Sequence, residues 1–395
     1  MAKIQVEDSG RRFPKNVLVL SLASFFNDIG GETIKRAIPL YLANILGIKA
    51  SIIGLIEGIA DATPQLFQPL SGWLSDYFQK RKPLVVFGQI LRSVMMLLFW
   101  ATSWPHVLLL RFLDRSGKGI TNAPRDALIA ASSSARHLGR SFGLNRAADN
   151  AGAVVGMVIA GFLALSAQRT ATHLNRFIFQ RIVLLAVIPL IISLTIISLF
   201  LKDVPGRLRG QKINWRQALG KKFYLFLLLS FLFTLGNSSD AFLVLKAQLV
   251  GLSLWQIFWL LAAYSLISAL SGLPLSTLSD KLGRKKLLVA GWLLYAAVYF
   301  LFAHAGSMTS VVVIFLFYGL YYGLTEGAAK ALVADITDRD HRGTAYGIYN
   351  LVVGGTLLPA SLIAGFLWQT IAPAAAFYFG SSLALAAALG LLILL

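Results

Sequence analysis

Six charged residues interrupt an otherwise apolar part of the chain, within the segment 111–133, RFLDRSGKGITNAPRDALIAASS. Its GKGIT stretch looks faintly like a phosphate-binding loop. That loop needs a glycine five residues before its Gly-Lys pair and a serine or threonine directly after it. Phe112 and Gly119 occupy those two positions. The segment therefore does not predict a nucleotide site, and its charges need another explanation.

On a helix, the cations of this segment would form one stripe with an amide among them. The stripe consists of Arg111, Arg115, Lys118, Asn122 and Arg125. Successive members are three or four positions apart, which is the spacing of one helix face. Asp114 and Asp126 flank it. A charge at mid-bilayer costs about 2.5–3.5 kcal/mol on insertion scales, so the stripe should face paired charges or water.

Acidic residues in other apolar segments offer partners for these cations, and some of them could carry a transported proton. Burial favours the neutral form of a carboxyl group, whereas a nearby cation favours the charged form. A carboxylate that gains or loses a cation during a conformational cycle is therefore a candidate proton switch. Asp28 and Glu32 lie one turn apart and are the first candidates, with Asp61 as another and Arg115 as the exchanging cation.

A second group of polar residues inside apolar segments is predicted to bind substrate. The group comprises Arg36, Lys118, Asn122, Arg125, Arg146, Asp149, Asn150, Asp240, Tyr322, Glu326 and Lys330. Its surplus of cations favours an anionic or polyfunctional small molecule. A structural interpretation stays open beside this one, because many of these charges could be ion pairs that set helix register. The tyrosines near 318–322 could equally serve packing.

Composition predicts that these residues are positioned by membrane-spanning helices. The chain has 395 residues, of which 57% are hydrophobic, and 13% are charged against roughly 25% in soluble domains. The apolar runs are continuous, which indicates helices rather than strands, each needing about 20 residues to cross the lipid. Twelve spans are predicted, near 16–46, 51–78, 83–102, 105–132, 139–167, 177–201, 221–250, 253–279, 286–304, 309–335, 342–370 and 373–395.

The net charge of +19 could suggest a nucleic-acid partner, but the distribution of the charge argues against one. Most cations outside the spans lie in the N-terminal tail and in alternate loops, as in KRK at 80–82 and GRKK at 283–286. Basic loops stay in the cytoplasm. We therefore expect a multi-pass protein of the inner (cytoplasmic) membrane, with lipid as its surroundings and both termini cytoplasmic. The chain has no cysteine and only five scattered histidines, so no metal site and no cofactor are expected.

The two parts of the chain resemble each other at an offset of 204 residues. Asp76 corresponds to Asp280, Gly119 to Gly323, and IAGFL at 159–163 recurs at 363–367. A constant offset over this length indicates a structural repeat. We therefore predict two pseudo-symmetric six-helix halves, 1–201 and 221–395. A basic cytoplasmic linker, 202–220, should join them.

The repeated loop sequences are similar to a motif of the major facilitator superfamily. The pattern G-x-x-x-D-x-x-x-x-R/K fits Gly72, Asp76 and Arg81, and its second copy keeps Asp280 and Arg284. The family's fourth-span pattern fits Arg115, Lys118 and Gly119, and the glycines of its fifth-span pattern fit at 143, 152, 156 and 161. In that fifth-span pattern Met157 replaces a proline and Ala160 a glycine.

This resemblance implies alternating access between two membrane sides, with the loop residues acting as a gate on the cytoplasmic side. The fifth-span pattern goes with exporters in the family. The leading hypothesis is therefore a proton-coupled transporter, working as a monomer, that exports a small anionic or amphipathic organic compound.

Other functions stay open beside this hypothesis. One is proton-coupled uptake of an anionic metabolite or a siderophore-like chelator. A membrane-embedded enzyme or a non-transporting receptor is more remote, since no HExxH motif is present.

Overall fold

The computed structural model describes residues 13–134, 137–167, 169–204, 219–338 and 341–395, without the side chains of 273, 276–281, 326 and 343. These residues form helices and short connections, and no strand occurs among them. The predicted linker 202–220 lies largely outside the described residues. The all-helical fold is confirmed, whereas the linker and the boundaries of the two halves stay predictions.

The N-terminal half contains six spans. They are α1 (Lys15–Asn44), α2 (Ala50–Phe78), α3 (Lys82–Ser93) continued by a 3₁₀ helix (Val94–Trp100), α4 (Trp104–Ser132), α5 (Leu138–Ala167) and α6 (Arg176–Phe200). The C-terminal half contains α7 (Lys221–Gly236), α8 (Ala241–Leu249), α9 (Leu254–Leu282), α10 (Arg284–His304), α11 (Met308–Asp335), α12 (Arg342–Thr370) and α13 (Pro373–Leu394). Within the described residues, ten segments are long and apolar enough to cross a membrane; α2 and α4, which carry many of the buried charges, are not among them.

The seventh span is broken, which the sequence interpretation of one continuous helix over 221–250 missed. Its two parts, α7 and α8, are separated by the sequence NSSD at 237–240. Short polar side chains compete with the helix for backbone groups, which explains a break at this sequence. The freed groups find partners inside the protein, as a membrane requires. Tyr295 donates to the carbonyl of Gly236 at 3.1 Å, and Ser361 accepts from the amide of Ser239 at 3.1 Å.

The 204-residue repeat also appears in the backbone conformation. Gly47 and Gly251 both have positive φ angles, of 61° and 91°. Gln79 and Gly283 do too, with φ of 52° and 93°. Each pair is separated by one repeat. Glycine adopts this region without strain, but a residue with a Cβ does not. Gln79 therefore has a positive φ at a turn position whose counterpart in the other half is a glycine.

The two halves pack through two symmetry-related helix pairs, α2 with α12 and α5 with α9. Glycines allow the close approach that packing in lipid needs. A side chain at Gly54 would clash with the backbone of Ser361, and one at Gly365 would clash with the backbone at Ala50. In the other pair, Gly161 lies against the ring of Trp259. These contacts hold the halves in one arrangement around a central space.

The halves are joined by hydrogen bonds on one side of the bundle. We call this the far side, which carries the loops 45–49, 169–175 and 250–253. The opposite, linker side carries residue 15, the loop 79–81 and residue 204. On the far side, the amides of Asn44 and Gln248 exchange two hydrogen bonds, of 3.1 and 2.6 Å. The structure is therefore closed on the far side.

Candidate functional site

A cavity of about 270 Å³ lies between the halves, next to the broken seventh span. We call it the charged chamber. Its polar lining comprises Lys35, Asp61, Gln65, Arg115, Lys118, Asn122, Asn237, Ser238, Ser239, Asp240 and Tyr322. Helices α1, α2 and α4 supply its charged wall, and the break between α7 and α8 supplies the facing wall. Several residues predicted for proton coupling and for substrate binding are thus brought together.

A second cavity of about 360 Å³ continues from the first. We call it the aromatic chamber, because its walls include Phe233, Trp292, Tyr321, Tyr322 and Tyr349. Gln65, Asn237, Tyr322 and Leu357 line both chambers. Two predicted substrate residues, Arg146 and Lys330, also line this one. The central space therefore combines a charged part with an aromatic part.

The stripe on α4 is buried in a network of ion pairs inside the N-terminal half. Arg111 bonds Glu57 of α2, and both side chains are almost fully buried. Arg115 lies 3.0 Å from the carboxylate of Asp114, which also lies 4.0 Å from Arg111. Pairing is what makes such charges tolerable away from water. This part of the network ties α2 to α4 and serves structure directly.

Arg92 on α3 is a member of the network that the sequence interpretation missed. Its guanidinium lies 3.5 Å from Asp28 and 3.7 Å from Asp114. The expected exchanging cation, Arg115, contacts Asp114 here rather than Asp28 or Glu32. A lone arginine within an otherwise apolar span was the available signal. In this conformation Arg92 therefore lies beside Asp28, one of the predicted proton-carrying carboxylates.

Glu32 has a different partner from Asp28, although the two carboxylates are one turn apart. Its nearest described cation is Lys118, at 3.8 Å. Lys118 also lines the charged chamber. Asp61, the third predicted proton-coupling carboxylate, lines that chamber and pairs with Lys35 at 3.6 Å. The chamber is thus connected to carboxylates on both α1 and α2.

Other predicted substrate residues lie outside the two chambers. Arg125 contacts Asp126 at 3.2 Å and Asp149 at 3.8 Å. Asn150 is half-buried on α5 and lines neither chamber. Arg36 bonds Asp240 across the halves at 2.8 Å. The side chain of Glu326 lies outside the described part of the chain, so its role in substrate binding stays a prediction.

The predicted gate residues lie at the linker side. Asp76 is exposed there, and Gly72 lies against α4 at Ala123. Arg81 donates to the carbonyl of Ala127, at 3.2 Å. Its counterpart Arg284 donates to Ala331, one repeat further, at 2.9 Å. The side chain of Asp280 is not described. In this conformation the two arginines anchor each loop to its own half, and a gating role stays a prediction.

Comparison with known proteins decides the family. The family model of the Major Facilitator Superfamily matches residues 20–258 and 226–395. The chain belongs to this superfamily. The transporter is 37% identical to an uncharacterised MFS-type transporter of Methanocaldococcus jannaschii, over 98% of this chain and 96% of that protein. It is 27% identical to the multidrug resistance protein MdtH of Aeromonas hydrophila, over 88% of this chain and 89% of that one.

Solved structures support the same fold for the transporter. A POT family transporter in complex with 5-aminolevulinic acid superposes with a TM-score of 0.81 at 14% identity, covering 98% of this chain and 97% of that one. The nucleoside transporter NupG superposes with a TM-score of 0.79 at 12% identity, covering 95% and 98%. At these identities the likeness concerns the fold alone. Twelve membrane-spanning helices in two six-helix halves are thereby confirmed.

Proposed function

We propose that the transporter exports a small amphipathic organic anion in exchange for protons, by alternating access across the cytoplasmic membrane. The charged chamber carries this proposal, because three cations line it against two described acids. Those cations are Lys35, Arg115 and Lys118. Asp61 and Asp240, the two acids, already contact Lys35 and Arg36. An incoming anionic group would therefore compete with carboxylates for cations, and an organic cation would find no unpaired described acid.

Export is the direction favoured by the relatives and by the fifth span. MdtH of Aeromonas hydrophila is named as a multidrug resistance protein and aligns over most of the chain. Gly152 and Gly156 of α5, from the pattern that accompanies export, pack directly on the backbone of α1. The basic loops favour a cytoplasmic linker side. With the linker side in the cytoplasm, the far side, where the two halves are closed in this structure, faces the outside of the cell.

Exchange of an anion for a proton has a distinct electrical signature. The anion leaves and the proton enters, so both movements carry positive charge inward. One elementary charge moved through 100 mV changes the free energy by about 2.3 kcal/mol. An inside-negative membrane potential would therefore drive such export together with the pH gradient.

A second function, proton-coupled uptake, is favoured by the contact between Lys118 and Glu32 at 3.8 Å. A substrate anion at Lys118 would displace Glu32, and a carboxylate that loses its cation takes up a proton more readily. Anion and proton would then bind together, as in symport. Symport of one proton with a monovalent anion moves no net charge, which distinguishes it from exchange.

The proposal can be tested in proteoliposomes with a labelled arylalkyl sulfonate, which stays ionised and crosses lipid poorly. An imposed pH gradient should drive the sulfonate across the membrane. Lys118→Gln should lower the rate about tenfold or more, since a bond to a charged group contributes about 1.5–3 kcal/mol. Lys49→Gln, at an exposed lysine, is the matched control. Equal rates in the two variants, or no pH-driven movement, would contradict the proposal.

A further inference from the structure

The walls of the aromatic chamber are held rigid by ring stacking. Phe233 lies parallel to Trp292, with centroids 4.7 Å apart and an interplanar angle of 8°. Tyr349 is parallel to Phe226 behind it, at 5.9 Å and 6°. Rings that are already ordered lose little conformational freedom when a ligand binds. The chamber is therefore preorganised for a flat apolar group.

A buried hydroxyl group in the same chamber lacks a partner. Ser230 lines the chamber and is 2% exposed. Its Oγ has no hydrogen-bond partner among the described residues. Buried polar atoms are nearly always bonded, and an unbonded one costs about 1–3 kcal/mol. Ser230 is thus suited to bond a polar substituent on a ring placed in this chamber.

The electrostatics of the connected chambers select the charge of such a ligand. Lys118 lies in the charged chamber, and Arg146 and Lys330 line the aromatic one. Tyr322 and Asn237 line both, so a single molecule can extend from one chamber into the other. The aromatic chamber, with a volume of about 360 Å³, has the size of an ordinary small-molecule site, and the charged chamber adds about 270 Å³.

We infer that the substrate is an aromatic compound that carries an anionic group. Its ring lies in the aromatic chamber, with a polar ring substituent at Ser230, and its anionic group lies beside Lys118 in the charged chamber. The inference rests on the proposed function for the anion site and adds the chemistry of the rest of the molecule. It also assigns Tyr322 and Ser230 to recognition of the substrate's ring rather than to proton coupling.

Two matched ligands test the ring directly, namely phenylpropanesulfonate and cyclohexylpropanesulfonate. Both compounds carry the same sulfonate group on the same propyl chain. The first has a flat aromatic ring, and the second has a puckered saturated ring. Calorimetric titration of the purified protein should show the aromatic compound binding about three to ten times more tightly. Tyr322→Leu should reduce this preference, Tyr322→Phe should retain it, and the exposed control Tyr224→Leu should leave it intact.

Ser230→Ala supplies an independent measurement on the same pair of chambers. The para-hydroxylated phenyl compound should bind the native protein more tightly than the plain phenyl compound. The substitution should remove that advantage and leave the affinity for the plain compound within about twofold. An unchanged advantage would contradict the placement of the ring substituent at Ser230.

The outcomes separate this inference from the proposed function. Equal affinity for the two rings, with both compounds weakened by Lys118→Gln, would overturn the aromatic inference and leave the anion site standing. A ring preference that Tyr322→Leu leaves unchanged would also overturn it. Binding that is insensitive to Lys118→Gln would contradict the anion site itself. Failure of every sulfonate to bind folded protein would contradict both.

Discussion

Arg36 and Asp240 are one repeat apart, 204 positions, and their side chains meet across the two halves at 2.8 Å. Residues that are equivalent in two symmetric halves touch each other only near the symmetry axis. Asn44 and Gln248, also 204 positions apart, behave in the same way. The second carboxylate oxygen of Asp240 accepts a bond from Tyr318 at 2.9 Å. The ion pair thus lies near the pseudo-twofold axis, between the charged chamber and the far-side contact of Asn44 with Gln248.

Asp240→Asn should weaken the far-side seal, because the substitution removes the charge that attracts Arg36 across the axis. The chain has no cysteine, so a single Leu357→Cys reporter in the central space can be labelled selectively. A membrane-impermeant thiol reagent applied from the far side should label this reporter several times faster in Asp240→Asn. Asp338→Asn, at an exposed position, is the control. Identical labelling in both backgrounds would show that the ion pair does not seal this side.

Glu57→Ala should destabilise the protein strongly. It leaves Arg111, which is 0% exposed, without the nearer of its two carboxylate partners. Breaking a buried ion pair costs about 3–5 kcal/mol, whereas replacing both partners with apolar residues is often neutral. Glu57→Leu combined with Arg111→Met should therefore recover most of the lost thermal stability in detergent. If the double variant were as unstable as Glu57→Ala, the ion pair of Glu57 and Arg111 would contribute to stability beyond neutralising each other's charge.

Asp28→Asn and Glu32→Gln should uncouple transport from the pH gradient. If either carboxylate carries the transported proton, its amide form would lose pH-driven accumulation and retain exchange of labelled for unlabelled substrate. A purely structural charge would act differently, since both activities and the thermal stability would fall together. Both assays should be run on protein shown to be folded. Normal pH-driven transport in the double variant would exclude this pair and direct attention to Asp61 and Asp149.

Gln79→Gly should be tolerated, because residue 79 has a positive φ of 52°, a region that glycine adopts without strain. Gln79→Val should lower the stability by about 1–2 kcal/mol, since a β-branched side chain fits a φ of 52° poorly. Melting temperatures of the two variants measured side by side would show the difference. Equal melting temperatures would mean that the backbone of this turn changes its conformation to suit the residue at position 79.

Helix periodicity was enough to place the cations of α4 on one face, because spacing along a helix fixes the direction of its side chains. It could not show which acid pairs with which cation, since that depends on how each helix is rotated against its neighbours. For this reason the sequence does not single out Arg92, and the exchange of Arg115 with Asp28 and Glu32 stays a prediction, since Arg115 contacts Asp114 in this conformation. The twelve spans and the repeat were predictable, because length and offset are properties of sequence alone.

The break at 237–240 and the aromatic chamber are harder to derive from sequence. Breaking the seventh span depends on Ser361 and Tyr295, which come from distant helices and satisfy the freed backbone. The chamber likewise assembles rings from α7, α10, α11 and α12, and each ring alone looks like ordinary packing. The functional consequence of these residues becomes visible only once their neighbours are known.

The sign of charge movement tests the central claim most directly. Proteoliposomes can be loaded with the aryl sulfonate and given a potassium diffusion potential, in the presence of a fixed pH gradient. Exchange of the anion for protons predicts that a negative potential inside the vesicle accelerates sulfonate efflux and proton entry together, and that Lys118→Gln abolishes both. Sulfonate movement in the same direction as protons, at a rate independent of the potential, would contradict export by exchange and establish symport instead.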